Sequence, residues 1–166
     1  MFVPRKAVLA LAAALVAAGS LVFALGASRG STTSGNGGTL LRATLAPSVP
    51  TDPSFHGIAP GGVPWILDES QVRLRGDGRI EIEIEGLVIP TLGTPGPVTS
   101  VSASLLCGAD ASAGPAATTG TVPLSSAGDA EIEAQLTLPA TCLAPIVVVH
   151  PNGGVTRYIA VTGWKR

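Results

Sequence analysis

Apolar and polar residues alternate with a period of two through much of the chain after residue 38, the pattern of half-buried strands. The clearest run is QVRLRGDGRIEIEIEG, residues 71–86. Val72 and Leu74 alternate there with Arg73 and Arg75, and Ile80, Ile82 and Ile84 with Glu81, Glu83 and Glu85. Two such runs around Gly-Asp-Gly predict an antiparallel hairpin. Its register follows from the faces. A two-residue turn at Asp77-Gly78 would set Leu74 opposite Glu81 and mix apolar with charged side chains. A three-residue loop of Gly76, Asp77 and Gly78 sets Leu74 against Ile80, Val72 against Ile82 and Arg73 against Glu81. The second is expected, because a one-residue slip turns every isoleucine toward water. Gly78 then takes the left-handed position that closes a type I turn with a bulge.

Residues 117–124 and 129–138 read as a second hairpin, with Ala130, Ile132, Ala134, Leu136 and Leu138 on one face. Gly128-Asp129 followed by Ile132-Glu133 resembles Gly76-Asp77 followed by Ile80-Glu81, and is read as shared hairpin chemistry, not a duplicated domain. Residues 98–107 put Val101, Ala103, Leu105 and Cys107 on one side and Ser100, Ser102 and Ser104 on the other, so Cys107 points inward. Residues 146–150 and 155–162 flank HPNGG as a third hairpin. Strands at 39–45 and 65–67 bring the total to about eight. No segment after residue 38 has helical periodicity. The spacing of Pro and Gly predicts a single immunoglobulin-like antiparallel β-sandwich over residues 39–166. The long Pro- and Gly-rich stretch 47–63 is the expected place for a functional loop.

The N-terminus changes the compartment. Arg5 and Lys6 precede an apolar run over residues 7–27, the form of an export signal. Cleavage near Ala27 is expected, which makes the protein secreted or extracellular. The alternative is a signal anchor, since about 20 apolar residues span a bilayer; the domain would then stay outside, touching membrane only through residues 7–27. No Cys follows the run, which excludes a lipoprotein anchor. Residues 28–38, SRGSTTSGNGG, read as a flexible Ser/Gly-rich linker. Between Ile80 and Thr156 there is no Lys or Arg but seven acidic residues, a balance that repels nucleic acid and anionic lipid. The acids are read as the solvated face of strands.

Cys107 and Cys142 are the only cysteines, and in an exported chain two cysteines pair. The expected disulfide joins a core strand to the approach of the next-to-last one and locks the two sheets. It closes a loop of roughly 36 residues, for which the chain-entropy argument gives about 3.8 kcal/mol. His56 and His150 are the only histidines. With Asp52, Asp68 or Asp110 they are the candidates for a metal site, although neither stands in a spacing typical of metal ligands. No serine stands in GxSxG or SxxK. Asp52, Ser54 and His56 are sequence neighbours, whereas triads are assembled from separate elements. No catalytic residue and no cofactor is implied. Arg75-Gly76-Asp77 matches the tripeptide that integrins read, but the turn and its flanking alternation already account for each residue. Trp65 and Trp164 are expected in the core, with Trp164 the more exposed.

The runs VPTDPSFHGIAPGGVPWILDESQVRL, GLVIP, GPVTSVSASLLC and CLAPIVVVHPNG resemble exported proteins of high-GC Gram-positive bacteria that carry no assigned activity. The order of a VP-containing opening, a dGxIxIxIxGL hairpin and a late VVxHPNGG turn is similar to chordin-type (CHRD) domains, with VSASL where that family has an AHIH-like stretch. That resemblance implies an extracellular β domain that serves as an interaction module. The expectation is an exported, non-catalytic β-sandwich at the cell envelope or outside it, whose partner is an envelope protein, a glycan or its own copies. The alternative is a small extracellular enzyme or metal-binding domain using His56 and His150.

Overall fold

The structure, a computed structural model, describes residues 37–108 and 114–163. The predicted export segment, most of the linker, Asp110 and Trp164 lie outside them. The described residues contain strands and no helix. In chain order the strands are β1 (Thr39–Ala43), β2 (Leu45–Pro47), β3 (Ala59–Pro60), β4 (Glu69–Arg75), β5 (Arg79–Glu85) and β6 (Ser100–Leu106). They continue with β7 (Ala117–Thr118), β8 (Val122–Pro123), β9 (Ala130–Gln135), β10 (Ile146–Pro151), β11 (Arg157–Tyr158) and β12 (Ala160–Thr162). Sheet A has the order β1-β4-β5-β9. Sheet B has the order β2-β12-β10-β6-β7, with β8 also on β6, and a small parallel pair joins β11 to β3.

Period-two alternation does what was expected in the first hairpin. Leu74 pairs with Ile80, Val72 with Ile82 and Arg73 with Glu81. Gly78 has φ 90° and its N–H donates to the Arg75 carbonyl at 3.0 Å. The isoleucine row of β5 faces one core with Val72 and Leu74 of β4, Ile132 of β9, Val101, Ala103 and Leu105 of β6, and Val147 and Val149 of β10. Two antiparallel sheets therefore close on a shared apolar layer, a sandwich-like all-β arrangement. Trp65 is buried in the same layer. At about 25 cal/mol per Å² of apolar surface, such burial is the main stabilising term.

Four expectations are corrected. Residues 39–45 are not one strand: the chain leaves sheet A after β1 and joins sheet B as β2, where the Leu45 N–H, crossing between sheets, donates to Ser70 Oγ at 2.9 Å. Residues 65–67 form only an isolated bridge between Ile66 and Val88. The second hairpin does not form. Residues 117–124 break into β7 and β8, both on β6, while β9 crosses to pair with β5. Pro123 lacks the N–H a continuous strand needs, and the Ala130–Ile132–Ala134 face extends the isoleucine row, Ile132 sitting opposite Ile82. Finally, the Cys107–Cys142 disulfide forms, with Cα atoms 4.9 Å apart, but it does not lock two sheets. Its cysteines flank β6 and β10, which are neighbours in sheet B.

The third pair is as expected in β10 and β12, Val148 opposite Val161. Its connection is longer than a hairpin turn, because β11 leaves the sheet to pair with β3. Asn152 (φ 51°) and Gly153 (φ 71°) make the turn, and Asn152 Oδ1 accepts the N–H groups of Thr99 and Ser100 at 3.0 and 3.3 Å.

Candidate functional site

Strand geometry sends alternate residues of β6 and β10 away from the main core. Ser102, Ser104, Val148 and His150 lie on that outer face of sheet B, yet all are buried. Their cover is residues 47–63 together with β11. Cover and sheet meet in a second small apolar cluster, Ile58 and Tyr158 with Leu106, Val148 and Val161 of sheet B, packed with Phe55 and Ile146. The Tyr158 hydroxyl donates to the Pro53 carbonyl at 2.7 Å, and its ring lies 5.6 Å from that of Phe55. Burial, and next the Asp52 charge, push the Tyr158 phenol up to about 12. The stretch expected to be a functional loop is a strap closing the outer face of a sheet.

Beneath it runs a directed chain of hydrogen bonds. His150 Nδ1 lies 2.7 Å from the Arg157 carbonyl, which can only accept, so Nδ1 carries the ring proton. His150 Nε2 is then an acceptor for the Ser104 hydroxyl at 2.8 Å, and Ser104 Oγ lies 2.8 Å from Thr118 Oγ1. Burial holds the His150 imidazole below its ordinary value, and the Arg157 bond opposes that shift. Serine on imidazole on carbonyl is the order of a nucleophile–base pair, but both Ser104 and His150 are 0% exposed. The Ser102 hydroxyl, opposite His150 in the register, is buried without a hydrogen-bond partner.

His56 sits elsewhere in the strap. His56 (φ 50°) and Gly57 (φ 79°) form a tight turn between Phe55 and Ile58, whose N–H and carbonyl groups bond reciprocally at 3.0 and 2.8 Å. The His56 side chain is buried, Asp52 Oδ2 accepts the Val49 N–H at 2.8 Å, and Ser54 and Asp68 are exposed. Among the described residues no three His, Cys, Asp or Glu side chains are gathered as metal ligands. Both nitrogens of His150 are occupied by the protein itself.

The outer face of sheet A is open and charged. The register sets Glu69 opposite Glu85, Glu83 opposite Glu131 and Glu81 opposite Glu133. Glu81 is relieved by Arg79 at 2.9 Å and Arg73 at 3.6 Å; among the described residues Glu83, Glu85, Glu131 and Glu133 have no ion-pair partner. Shallow grooves of about 430 and 580 Å³ meet at Glu83 and Glu85. Like charges directly opposite are destabilising. Glu131→Lys, which places a cation across from Glu83, is therefore expected to stabilise the domain by about 0.5 kcal/mol, and the gain should shrink in 1 M salt. Urea midpoints at two ionic strengths check it. At the hairpin tip, Arg75 Nε and Asp77 Oδ2 lie 3.7 Å apart, so the two ends of Arg-Gly-Asp turn toward each other. Gly38, the last linker residue, accepts the Gly76 N–H at 2.7 Å.

The Thr118–Ser104–His150 chain was absent from the sequence expectations. The alternation placed Ser104 opposite the core, and nothing local said that a distant strap covers that side. Comparison of the chain with protein-family models, curated proteins and solved structures finds no match.

Proposed function

We propose that this chain is an exported, non-catalytic domain that works by binding, at the cell envelope or outside the cell, with an envelope protein, a glycan or another copy of itself as partner. The observation that carries the reading is the division between the two outer sheet faces. The nucleophile-type and base-type side chains that approach each other, Ser104 and His150, are sealed under the strap, whereas the open face of sheet A presents charge without an organised reacting pair. An immunoglobulin-like topology fits this role. Eight strands of three residues or more, divided between two antiparallel sheets, support it, while the disulfide differs from the inter-sheet bridge of antibody domains. A disulfide is also compatible with an oxidising compartment.

Two measurements test the proposal. The mass of the protein in culture supernatant should correspond to a chain lacking residues 1 to about 27 and two hydrogens lighter than its reduced form. Full-length chain found only in membranes would instead place the domain on a signal anchor. Exported chain immobilised on beads should retain a component of the native envelope in a salt-sensitive way. Turnover of a hydrolysable substrate abolished by His150→Gln would replace the binding reading with an enzymatic one.

A further inference from the structure

We propose that the strap and β11 form an acid-released flap, latched to sheet B by the neutral imidazole of His150. The latch is a polarity argument. With Nδ1 donating to the Arg157 carbonyl, Nε2 of the neutral ring accepts the Ser104 hydroxyl. A second proton makes Nε2 a donor. Ser104 must then reverse toward Thr118, and the ring carries a full charge at a site with 0% exposure.

Among the described residues, the elements packed around it offer that charge no counter-ion. From β6 come the hydroxyls of Ser102 and Ser104, and from β7 that of Thr118. From β11 come Arg157, a cation whose Nη1 donates to the Pro60 carbonyl at 3.0 Å, and the neutral phenol of Tyr158. The strap contributes His56, a second base, and Asp52, whose carboxylate is engaged at Val49 N–H and acts on Tyr158. A buried charge without a paired partner is strongly disfavoured, so solvating it requires the cover to move.

The cover is built to move as one piece. Strap and β11 are tied to each other by the β3–β11 pairing, by Tyr158 to Pro53, by Arg157 to Pro60 and by the Gly61 N–H to the Tyr158 carbonyl at 2.8 Å. Below them, Leu106, Val148 and Val161 form the apolar surface that release would expose. The inference concerns the response of the fold to acid and stands apart from the binding proposal.

The sign follows from linkage. Burial lowers the His150 pKa in the closed state relative to the ordinary value of about 6.5. Closure is thus fully favoured above pH 6.5 and weakens as pH falls from there toward the closed-state pKa. Over that window the opening constant should rise about tenfold per pH unit. Hydrogen exchange on the exported chain, corrected for intrinsic rates, tests it. Protection of the Ile159 amide, whose N–H ties the end of β11 to the Val149 carbonyl of β10 at 2.8 Å, should fall severalfold between pH 7.5 and pH 5, with the sheet A amides of Ile82 and Val72 unchanged. In His150→Gln the pH step should vanish. The His150 ring resonances of the unmutated chain carry the same test without any variant, and should titrate below 6.5. A ring titrating at or above 6.5, flap protection independent of pH, or an equal loss in sheet A would overturn the proposal.

Discussion

Gly128→Ala should cost the domain on the order of 4 kcal/mol, among the largest effects expected of a single methyl group here. Gly128 has φ 90°, a region that L-residues rarely occupy, and a Cβ built there would lie 2.5 Å from Leu87 N and 2.6 Å from Leu87 O. Those atoms are backbone and Leu87 is fully buried, so a rotamer change cannot relieve the overlap. Relief would require breaking the bond from the Leu87 N–H to the Gly128 carbonyl, 2.9 Å, which ties the crossing into sheet A. Gly78→Ala should behave alike. Its φ is also 90°, its Cβ would overlap the Leu136 carbonyl, and its own carbonyl accepts the Leu136 N–H at 2.9 Å. Gly93→Ala is the control: φ is 64° and nothing lies within 4 Å, so only the left-handed term of about 1 kcal/mol remains. Urea midpoints at constant slope separate the two classes, and equal losses at Gly128 and Gly93 would disprove the contact argument.

Replacing both cysteines by serine should lower stability by about 3.8 kcal/mol, since the bridge spans 35 positions and its loss frees that loop in the unfolded chain. For a domain of this size the melting temperature should fall by about 15 °C. Because the bridge ties the ends of neighbouring strands, β6 and β10 keep their six-residue register in the folded state without it. The loss should therefore appear mainly in the unfolded-state entropy, with little change in the circular dichroism of the native protein at 25 °C. A double variant within 1 kcal/mol of the parent would show that the unfolded chain is already constrained over residues 107–142.

These two effects mark where local chemistry was readable. The β4–β5 register was legible because alternation and turn length admit one answer: any slip exposes Ile80, Ile82 and Ile84. The pairing of Cys107 with Cys142 was legible from the count of two cysteines behind an expected export signal. The likeness between Gly76-Asp77/Ile80-Glu81 and Gly128-Asp129/Ile132-Glu133 was visible, but its meaning was not. The two stretches pair with each other as β5 and β9, and each preceding glycine bonds the leucine that follows its partner strand, Gly78 to Leu136 and Gly128 to Leu87. Strand alternation says which residues share a face, not which strand lies alongside. The same limit hid the switch from β1 to β2, where one apolar alternation serves two sheets, and the strap over Ser104 and His150. Burial by a segment far away in the chain leaves no periodic trace in the strands it covers.

The non-catalytic reading rests on the seal over Ser104 and His150, and a serine-directed phosphonofluoridate interrogates it most directly. Treated at pH 7.5, the folded protein should keep its unmodified mass, because Oγ of Ser104 is closed off from solvent and committed to His150. A single covalent adduct mapping to Ser104, absent after His150→Gln, would contradict the account and make this pair an active nucleophile and base.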